Sequence, residues 1–147
     1  MTANVSSTGI ALRLTASVTF PNGIDITAFP EDGDIGVTGN IDIAGNASGV
    51  NGELIVWKTV NGIEVNVPII PNTPDEENLD LLFNANRAAK NKPAKFDIIT
   101  IVATNPVTGA SKTYKNGVIK NGALGYQYGG DGRIKNKTYG FVFEDVV

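Results

Sequence analysis

The feature that most constrains this chain is a strict alternation of apolar and polar residues over positions 12–20. The apolar members of this run are Leu12, Leu14, Ala16, Val18 and Phe20. Successive side chains of a β-strand point to opposite faces, so the alternation predicts a strand with one face in a core. A turn-forming Pro-Asn-Gly at 21–23 follows, and we expect the strand to form a hairpin with the alternating run at 24–28.

Further strand-like runs occur at 35–43, 53–60, 63–70, 96–102, 111–115, 117–120 and 137–144. Asn61-Gly62 separates two of them, and this dipeptide is the strongest short signal for a type I′ hairpin, so we predict that 53–60 pairs with 63–70. The run at 96–102 is apolar on both faces, which is typical of a central strand. The small residues at 45–52 predict a loop or bulge.

One helix is predicted after the second of these hairpin strands. Thr73 supplies an N-cap hydroxyl, Pro74 suits the first helical position and Glu76 follows the cap by three residues. The basic residues Arg87, Lys90 and Lys92 suit its end, and Pro93 prevents much continuation. The sequence therefore predicts a mainly β chain with one flanking α-helix.

The apolar residues of this helix cover more than half of its circumference when placed at about 100° per residue. They are Leu79, Leu81, Leu82, Phe83, Ala85, Ala88 and Ala89. An arc this wide implies contact on more than one side. Either the helix is deeply buried against its own sheet, or a neighbouring subunit covers part of it.

The length of 147 residues is typical of a single domain, which we assign to 1–147, with residues 1–11 as an extended N-terminal arm. The first nine residues lack the basic stretch and apolar run of a signal peptide, and no later run approaches the ~18 apolar residues of a membrane span. We therefore expect a protein that is made and kept soluble, without a membrane partner.

The composition argues against an enzyme. The chain contains no histidine and no cysteine, so neutral-pH acid–base catalysis, thiol chemistry and thiolate metal sites lose their usual side chains. Glu31, Asp32 and Asp34 are acidic neighbours, but they lack the spacing of a calcium-binding loop. We predict no catalytic residue, no cofactor and no metal site.

The charge balance argues against adhesion to nucleic acid. The formal net charge is −3, and the lysines and arginines are scattered along the chain, so we expect no basic patch that would hold DNA or an anionic membrane.

Three stretches together resemble the tail-tube proteins of contractile-tailed bacteriophages. They are Asn51-Gly-Glu-Leu-Ile-Val-Trp57, Pro71-Asn-Thr-Pro-Asp-Glu-Glu-Asn-Leu-Asp-Leu-Leu-Phe-Asn-Ala-Asn-Arg87, and Asn116-Gly-Val-Ile-Lys-Asn-Gly-Ala-Leu-Gly125 leading to Lys137-Thr-Tyr-Gly-Phe-Val-Phe-Glu144. The resemblance spans roughly the last two-thirds of the chain. Its most specific part is the capped helix between the Asn-Gly pair and the final aromatic strand.

This resemblance implies a β-sandwich or barrel of the tail-tube type, hexameric rings of identical subunits, and a stacked tube that conducts DNA inside a contractile sheath. It also implies a place in the virion tail after synthesis in the bacterial host. The partners would be further copies of the chain, the sheath protein, the tail terminator, and baseplate and tape-measure proteins. DNA would pass through without specific binding.

Two sets of residues are candidates for these roles. Trp57, Leu79, Leu82 and Phe83 are predicted to form a self-assembly interface, because a lone tryptophan and a wide apolar helix arc are natural contact residues. Asp25 and Asp42 are predicted to line the bore, where negative charge would let DNA slide; the alternative that they face an outer surface stays open.

Two other functions fit the sequence. A tube subunit of a secretion system would share the fold and deliver proteins in place of a genome. A monomeric β-sandwich could instead bind glycan or protein through exposed rings, for which Trp57, Tyr126 and Tyr128 are the candidates.

Overall fold

The computed structural model describes residues 3–6, 8–31, 33–37 and 40–147, and these form a mainly β fold with antiparallel sheets and one α-helix. The elements in chain order are β1 (Leu12–Ala16), β2 (Phe20–Ile26), β3 (Gly36–Val37), β4 (Ala44–Ser48), β5 (Leu54–Lys58), β6 (Ile63–Ile69), α1 (Pro74–Asn86), β7 (Ile99–Thr104), β8 (Ser111–Asn121), β9 (Lys137–Phe143) and β10 (Asp145–Val146).

The strands divide into a large sheet and a separate hairpin. Neighbouring strands of the large sheet follow the order β2-β1-β7-β8-β9-β6-β3, and β10 also pairs with β8. Strands β4 and β5 pair only with each other within this topology. The core between the layers is built from the inward residues of the large sheet and from α1; its largest side chains include Tyr139, Phe141, Phe143, Leu14 and Ile26.

The predicted pairing of the first two strands is confirmed, but its turn lies earlier than predicted. Strand β1 ends at Ala16, the chain turns at 17–19, and β2 already begins at Phe20. The Pro-Asn-Gly at 21–23 therefore lies inside β2, where the register with β1 shifts. The buried carboxylate of Asp97 accepts hydrogen bonds from the backbone of Val18 and Thr19, which fixes the turn there.

The predicted Asn-Gly hairpin is wrong. Strand β5 pairs with β4, whereas β6 pairs with β9 and β3. Neither Asn61 nor Gly62 has the positive φ that a type I′ turn requires. The Asn61 side chain instead donates to the carbonyl oxygen of Asp42 at 3.0 Å. The tight turn lies within the small residues at 49–53, where Gly52 has a φ of 83°.

The predicted central strand is confirmed as β7, between β1 and β8. Its start at Ile99 is later than the apolar run implied, because Asp97 interrupts that run with a buried carboxylate. The two strands predicted at 111–115 and 117–120 form one strand, β8. It bends at Asn116, whose φ is 55°, and pairs with β7 before the bend and with β9 after it.

The helix begins as predicted and ends early. Thr73 caps it through a hydrogen bond from the Glu76 amide, and Pro74 occupies its first turn. It ends at Asn86, ahead of the predicted basic end, because Asn86 donates to Leu82 and Asp97, and the Lys92 ammonium donates to the carbonyls of Asn84 and Arg87. Ala88 and Ala89 therefore lie beyond it.

The start of α1 also closes the gap between the two ends of the large sheet. The Asp75 carboxylate accepts the amides of Thr27 and Ala28, at 2.9 and 3.0 Å, just after β2. The Ile70 amide, just after β6, donates to the Ala28 carbonyl at 3.0 Å. The segment from Ile70 to the helix start thus connects the β2 edge of the sheet with β6, the neighbour of the other edge strand, β3.

The predicted N-terminal arm is described only in part. Residues 3–6 and 8–11 precede β1 without regular strands and are mostly exposed, whereas Met1, Thr2 and Ser7 lie outside the described residues. An arm over 1–11 and a single domain over 1–147 stay predictions.

Candidate interaction surface

The most unusual surface of the molecule is the hairpin formed by β4 and β5, which we call the projecting hairpin. All five residues of β5 are exposed. Four of them are large and apolar, with exposed fractions from 50% for Trp57 to 70% for Leu54. Contiguous exposed apolar surface of this kind in a soluble protein marks a contact with another molecule.

Both faces of the projecting hairpin carry exposed apolar residues. Leu54 and Val56 point to one face, and Ile55 and Trp57 point to the other, because side chains alternate along a strand. On the second face the Trp57 indole lies on Gly45, its partner across the strands, where an added Cβ would overlap the ring. Asn46 and Ser48 of β4 pair with Val56 and Leu54 and share their face, so the face with Ile55 and Trp57 is the more apolar of the two.

The base of the projecting hairpin is held in place by hydrogen bonds. The Asp42 carbonyl accepts the Thr59 hydroxyl and the Asn61 amide, each at 3.0 Å. The Thr59 amide donates to the Ile43 carbonyl at 3.1 Å. At the other end, the Gly49 amide donates to the Glu53 carbonyl at 2.7 Å to close the turn. Both ends of the hairpin are therefore fixed, and the apolar residues between them lie on an ordered pair of strands.

The four predicted interface residues do not lie together at one surface. Leu79 and Leu82 on α1 are 0% exposed and belong to the core, so within this fold their side chains contact their own sheet. Phe83 is partly buried, with its ring 6.2 Å from that of Tyr139. Trp57 is exposed on the projecting hairpin. A role in assembly stays a prediction for all four residues.

The two carboxylates predicted to line a bore lie on different elements. Asp25, on β2, forms an exposed ion pair with Arg13 at 3.1 Å, which offsets its charge locally. Asp42 is exposed at the base of the projecting hairpin. Their orientation towards a bore stays a prediction.

Of the three rings considered for a ligand platform, Tyr128 is exposed and Trp57 lies on the projecting hairpin. Tyr126 has a structural role, because its hydroxyl donates to Glu76 at 3.3 Å and its ring lies 4.4 Å from the Lys137 ammonium. The contacts of these three residues therefore do not bring them together at one surface.

Sequence reasoning missed a buried ion pair beneath α1. The ammonium of Lys137 lies 2.6 Å from the Glu76 carboxylate, and both residues are almost fully buried. The Asp80 carboxylate is 3.8 Å from the same ammonium. Burial raises the pKa of the nearby Tyr139 hydroxyl, and the charges of Asp80 and Glu76 raise it further. The pair anchors the helix to β9.

A signal for this pair exists in the sequence. Lys137 has the same parity as Tyr139, Phe141 and Phe143, so on strand β9 it must point inward with them. An inward lysine needs a carboxylate partner. The one predicted helix carries such a carboxylate at Glu76.

The described residues contain no group of three or more acidic side chains placed to share a metal ion; Asp32 lies outside them. Within the same ranges, α1 is too short and too polar to cross a membrane.

Comparison with known families gives one match. A family model described as tail fiber protein gp32 matches residues 3–147. No curated protein sequence matches the chain.

Solved structures with the same fold come from contractile injection systems. A chain of the PVC sheath/tube terminator structure, from an extracellular contractile injection system, has a TM-score of 0.60 at 10% identity, covering 99% of this chain and 96% of its own. A chain of the anti-feeding prophage baseplate has a TM-score of 0.56 at 12% identity, covering 100% and 96%. A chain of the anti-feeding prophage tube-terminating cap has a TM-score of 0.54 at 10% identity, covering 100% and 91%.

Proposed function

The chain belongs to the tail fiber protein gp32 family of phage-like tail proteins, and from this premise we propose that it is a tail-tube subunit. In this proposal six copies form a ring, and rings stack into a hollow tube inside a contractile sheath. The protein acts through shape and self-association, and it has no catalytic turnover and no cofactor.

The projecting hairpin is the observation that carries this proposal. It exposes large apolar residues on both of its faces, and copies of the same chain are the partners that assembly supplies in any preparation. A contact between two different surfaces of identical subunits repeats, and it produces either closed rings or an extended stack. A ring of stacked subunits would enclose the hairpin and remove its apolar residues from water.

The other parts of the proposal rest on the family and on the shared fold. Sheath, terminator, baseplate and tape-measure proteins would be the partners along such a tail. Asp25 and Asp42 would face the bore, where a net negative charge opposes the adhesion of passing DNA. A secretion-system tube subunit, which delivers protein in place of a genome, is the alternative with the same fold, and chains of contractile injection systems share that fold.

A second candidate is a subunit that ends or begins the tube. The similar structures include, by their titles, a terminator, a baseplate component and a cap. Such a subunit would form a single ring and use the projecting hairpin on the tube side only.

Negative-stain microscopy and sedimentation velocity of the purified protein test the proposal. A tube subunit gives rings at moderate concentration and long tubes at high concentration. Single rings that never elongate favour the second candidate. A species that stays monomeric at high concentration contradicts both, and affinity for a glycan or peptide would then support a monomeric binding module.

A further inference from the structure

Beneath α1, the buried ion pair places a primary amine beside two carboxylates. The Lys137 ammonium lies 2.6 Å from Oε1 of Glu76 and 3.8 Å from Oδ1 of Asp80. The two acidic residues are one helical turn apart on α1, so they lie on one face of the helix, towards the start of β9. We call these three residues the amine–carboxylate cluster. It brings a nitrogen nucleophile next to two possible acyl acceptors.

The two carboxylates of the amine–carboxylate cluster have different surroundings. Glu76 accepts the Lys137 ammonium through Oε1 and the Tyr126 hydroxyl through Oε2, the latter at 3.3 Å. Oδ1 of Asp80 is buried and has no hydrogen-bond partner among the described residues. A buried acceptor without a donor is unfavourable. Asp80 is therefore the carboxylate that the ion pair leaves unsatisfied.

The surroundings of the amine exclude most water. The side chains of Lys137 and Glu76 are 4% and 3% exposed. The Lys137 ammonium lies 4.4 Å from the centre of the Tyr126 ring, and the fully buried Tyr139 is two residues further along the same face of β9. A site without water holds charged groups at a high cost and protects an amide from hydrolysis.

We propose that Lys137 and Asp80 condense to an amide, with Glu76 as the proton carrier. Glu76 takes a proton from the ammonium, and the lone pair of the amine then attacks Cγ of Asp80. The bond from Nζ to Cγ forms, and one bond from Cγ to oxygen breaks. The leaving oxygen receives the two protons that the nitrogen loses, through Glu76, and departs as water. Glu76 ends ionised as it began, and no oxidant, reductant or co-reactant is needed.

Three properties of the fold favour this condensation. The amine and its acceptor are held together, so the reaction is intramolecular and avoids most of the entropy cost of bringing them into contact. It removes one positive and one negative charge from a buried site. The Asp80 side chain is 35% exposed, which gives the departing water a route to solvent.

The amide would join α1 to β9. The chain between Asp80 and Lys137 contains β7 and β8, so the amide closes a covalent ring through the centre of the large sheet. Such a cross-link restricts the unfolded chain and stabilises the fold. The reaction occurs once per chain and follows folding, so freshly folded protein contains the ion pair and the amide accumulates with time. One chain supplies all three groups, which makes the inference independent of the proposed function.

Mass spectrometry of the intact full chain tests the condensation. After prolonged incubation of the folded protein at neutral pH, the mass should be lower by one water molecule, and tandem spectra of a digest should show the Asp80 and Lys137 peptides joined. Asp80→Asn should lose one ammonia in place of water, because the side-chain nitrogen becomes the leaving group. Loss of water from Asp80→Asn would identify Glu76 as the acceptor and overturn the assignment.

Two variants separate the roles of the amine and of the proton carrier. Lys137→Arg keeps a cation but has no nucleophilic amine, so its mass should stay complete. Glu76→Gln keeps the shape of the side chain but cannot carry the proton, and it should slow the loss of water by about 100-fold or more. Circular dichroism checks that both variants fold. A Glu76→Gln variant that is folded and loses water at the unmodified rate overturns the role of Glu76.

The exposed ion pair of Lys120 and Glu64 is an internal control in the same molecule. Each side chain is about half exposed, so water surrounds the pair and no amide should form there. Joined Lys120 and Glu64 peptides would show that condensation does not depend on burial, and would overturn the argument from the amine–carboxylate cluster.

The outcomes separate this inference from the proposed function. Folded protein that keeps its complete mass after prolonged incubation overturns the amide, even if that protein forms rings and tubes. Protein that loses one water and carries the joined peptides supports the amide, even if it never assembles.

Discussion

Strands β5 and β6 are close in sequence and similar in composition, yet they have opposite environments. Four of the seven residues of β6 are buried, and its two sides pair with β9 and β3. All five residues of β5 are exposed, and β4 is its pairing strand. The large sheet therefore completes its burial within one chain, whereas the projecting hairpin does not. Apolar residues in the large sheet stabilise the fold, whereas those in the projecting hairpin are available for assembly.

The largest effect on folding is expected from a charge in the core of the large sheet. Leu82→Asp places an unpaired carboxylate at a position with no exposure, and it should lower the free energy of unfolding by about 4–5 kcal/mol or prevent folding. Chemical denaturation measures the change. Leu81→Asp is the matched control, since Leu81 is exposed on the same helix, and its change should stay within about 0.5 kcal/mol. Similar losses for both variants would contradict the placement of α1.

The next effect concerns the buried ion pair that anchors α1. Lys137→Met leaves the Glu76 carboxylate buried without its cation, and it should cost about 3–5 kcal/mol of unfolding free energy. Adding Glu76→Met removes the stranded charge, so the double variant should recover much of that loss. Denaturation of the two single variants and the double variant gives the coupling. Additive losses would show that the two side chains do not act as a pair.

A smaller effect is expected at Asp97, whose carboxylate fixes the turn between β1 and β2. Asp97→Asn should cost about 1–3 kcal/mol at neutral pH, because donors that face the carboxylate lose an acceptor. Burial by itself would raise the pKa of Asp97, but the hydrogen bonds from Thr19, Asn86 and Val18 outweigh it and lower the pKa below its ordinary value of 3.8.

The sign of the acid dependence follows from that pKa. A carboxyl with a lowered pKa in the folded state contributes stability that is present above the ordinary value and is lost as the pH falls through the folded value. The unfolding free energy of the unmodified protein should therefore fall more steeply below about pH 4 than that of Asp97→Asn. Parallel curves for the two proteins would show that Asp97 is not the group responsible.

The smallest effect on folding is expected in the projecting hairpin. Trp57→Ser removes an exposed ring that is outside the core, so the unfolding free energy of the monomer should change by less than about 0.5 kcal/mol. Assembly should nevertheless fall by 10-fold or more, roughly as for a central aromatic contact residue. Sedimentation velocity reports assembly, and Thr108→Ser, a change at an exposed position of the β7–β8 turn, is the control. A Trp57→Ser variant that assembles normally would contradict the comparison between β5 and β6.

Local patterns in the sequence predicted the elements better than their partners. Alternation located β1 and β9, and cap chemistry located the start of α1 at Thr73, because each depends on neighbouring residues. Whether β5 pairs with β6 or with β4 depended on which of two candidate turns forms, the one at Asn61-Gly62 or the one at 49–53. The Asn61-Gly62 dipeptide predicted one turn, but the side chain of Asn61 is used at the base of the hairpin, and Gly52 supplies the positive φ.

The candidate interaction surface was predicted only in part, because local patterns do not show which residues cover one another. Trp57 was identified because a lone tryptophan is a natural contact residue, and it is exposed. Leu79 and Leu82 were grouped with it on helical periodicity, which measures the width of an apolar arc but not what covers it. The turn after β1 was misplaced because the carboxylate that fixes it, Asp97, lies about 80 positions away in the sequence.

The projecting hairpin is inserted between β3 and β6 and is held by hydrogen bonds at its base. Two residues added to each of its strands would preserve which side chains face which way, since the strand repeat is two. Each such addition would extend its reach by about 7 Å while the register of the large sheet stayed the same. In a tube of the proposed kind the hairpin would act as a spacer of adjustable length, by which related subunits could set the axial period independently of the domain that carries it.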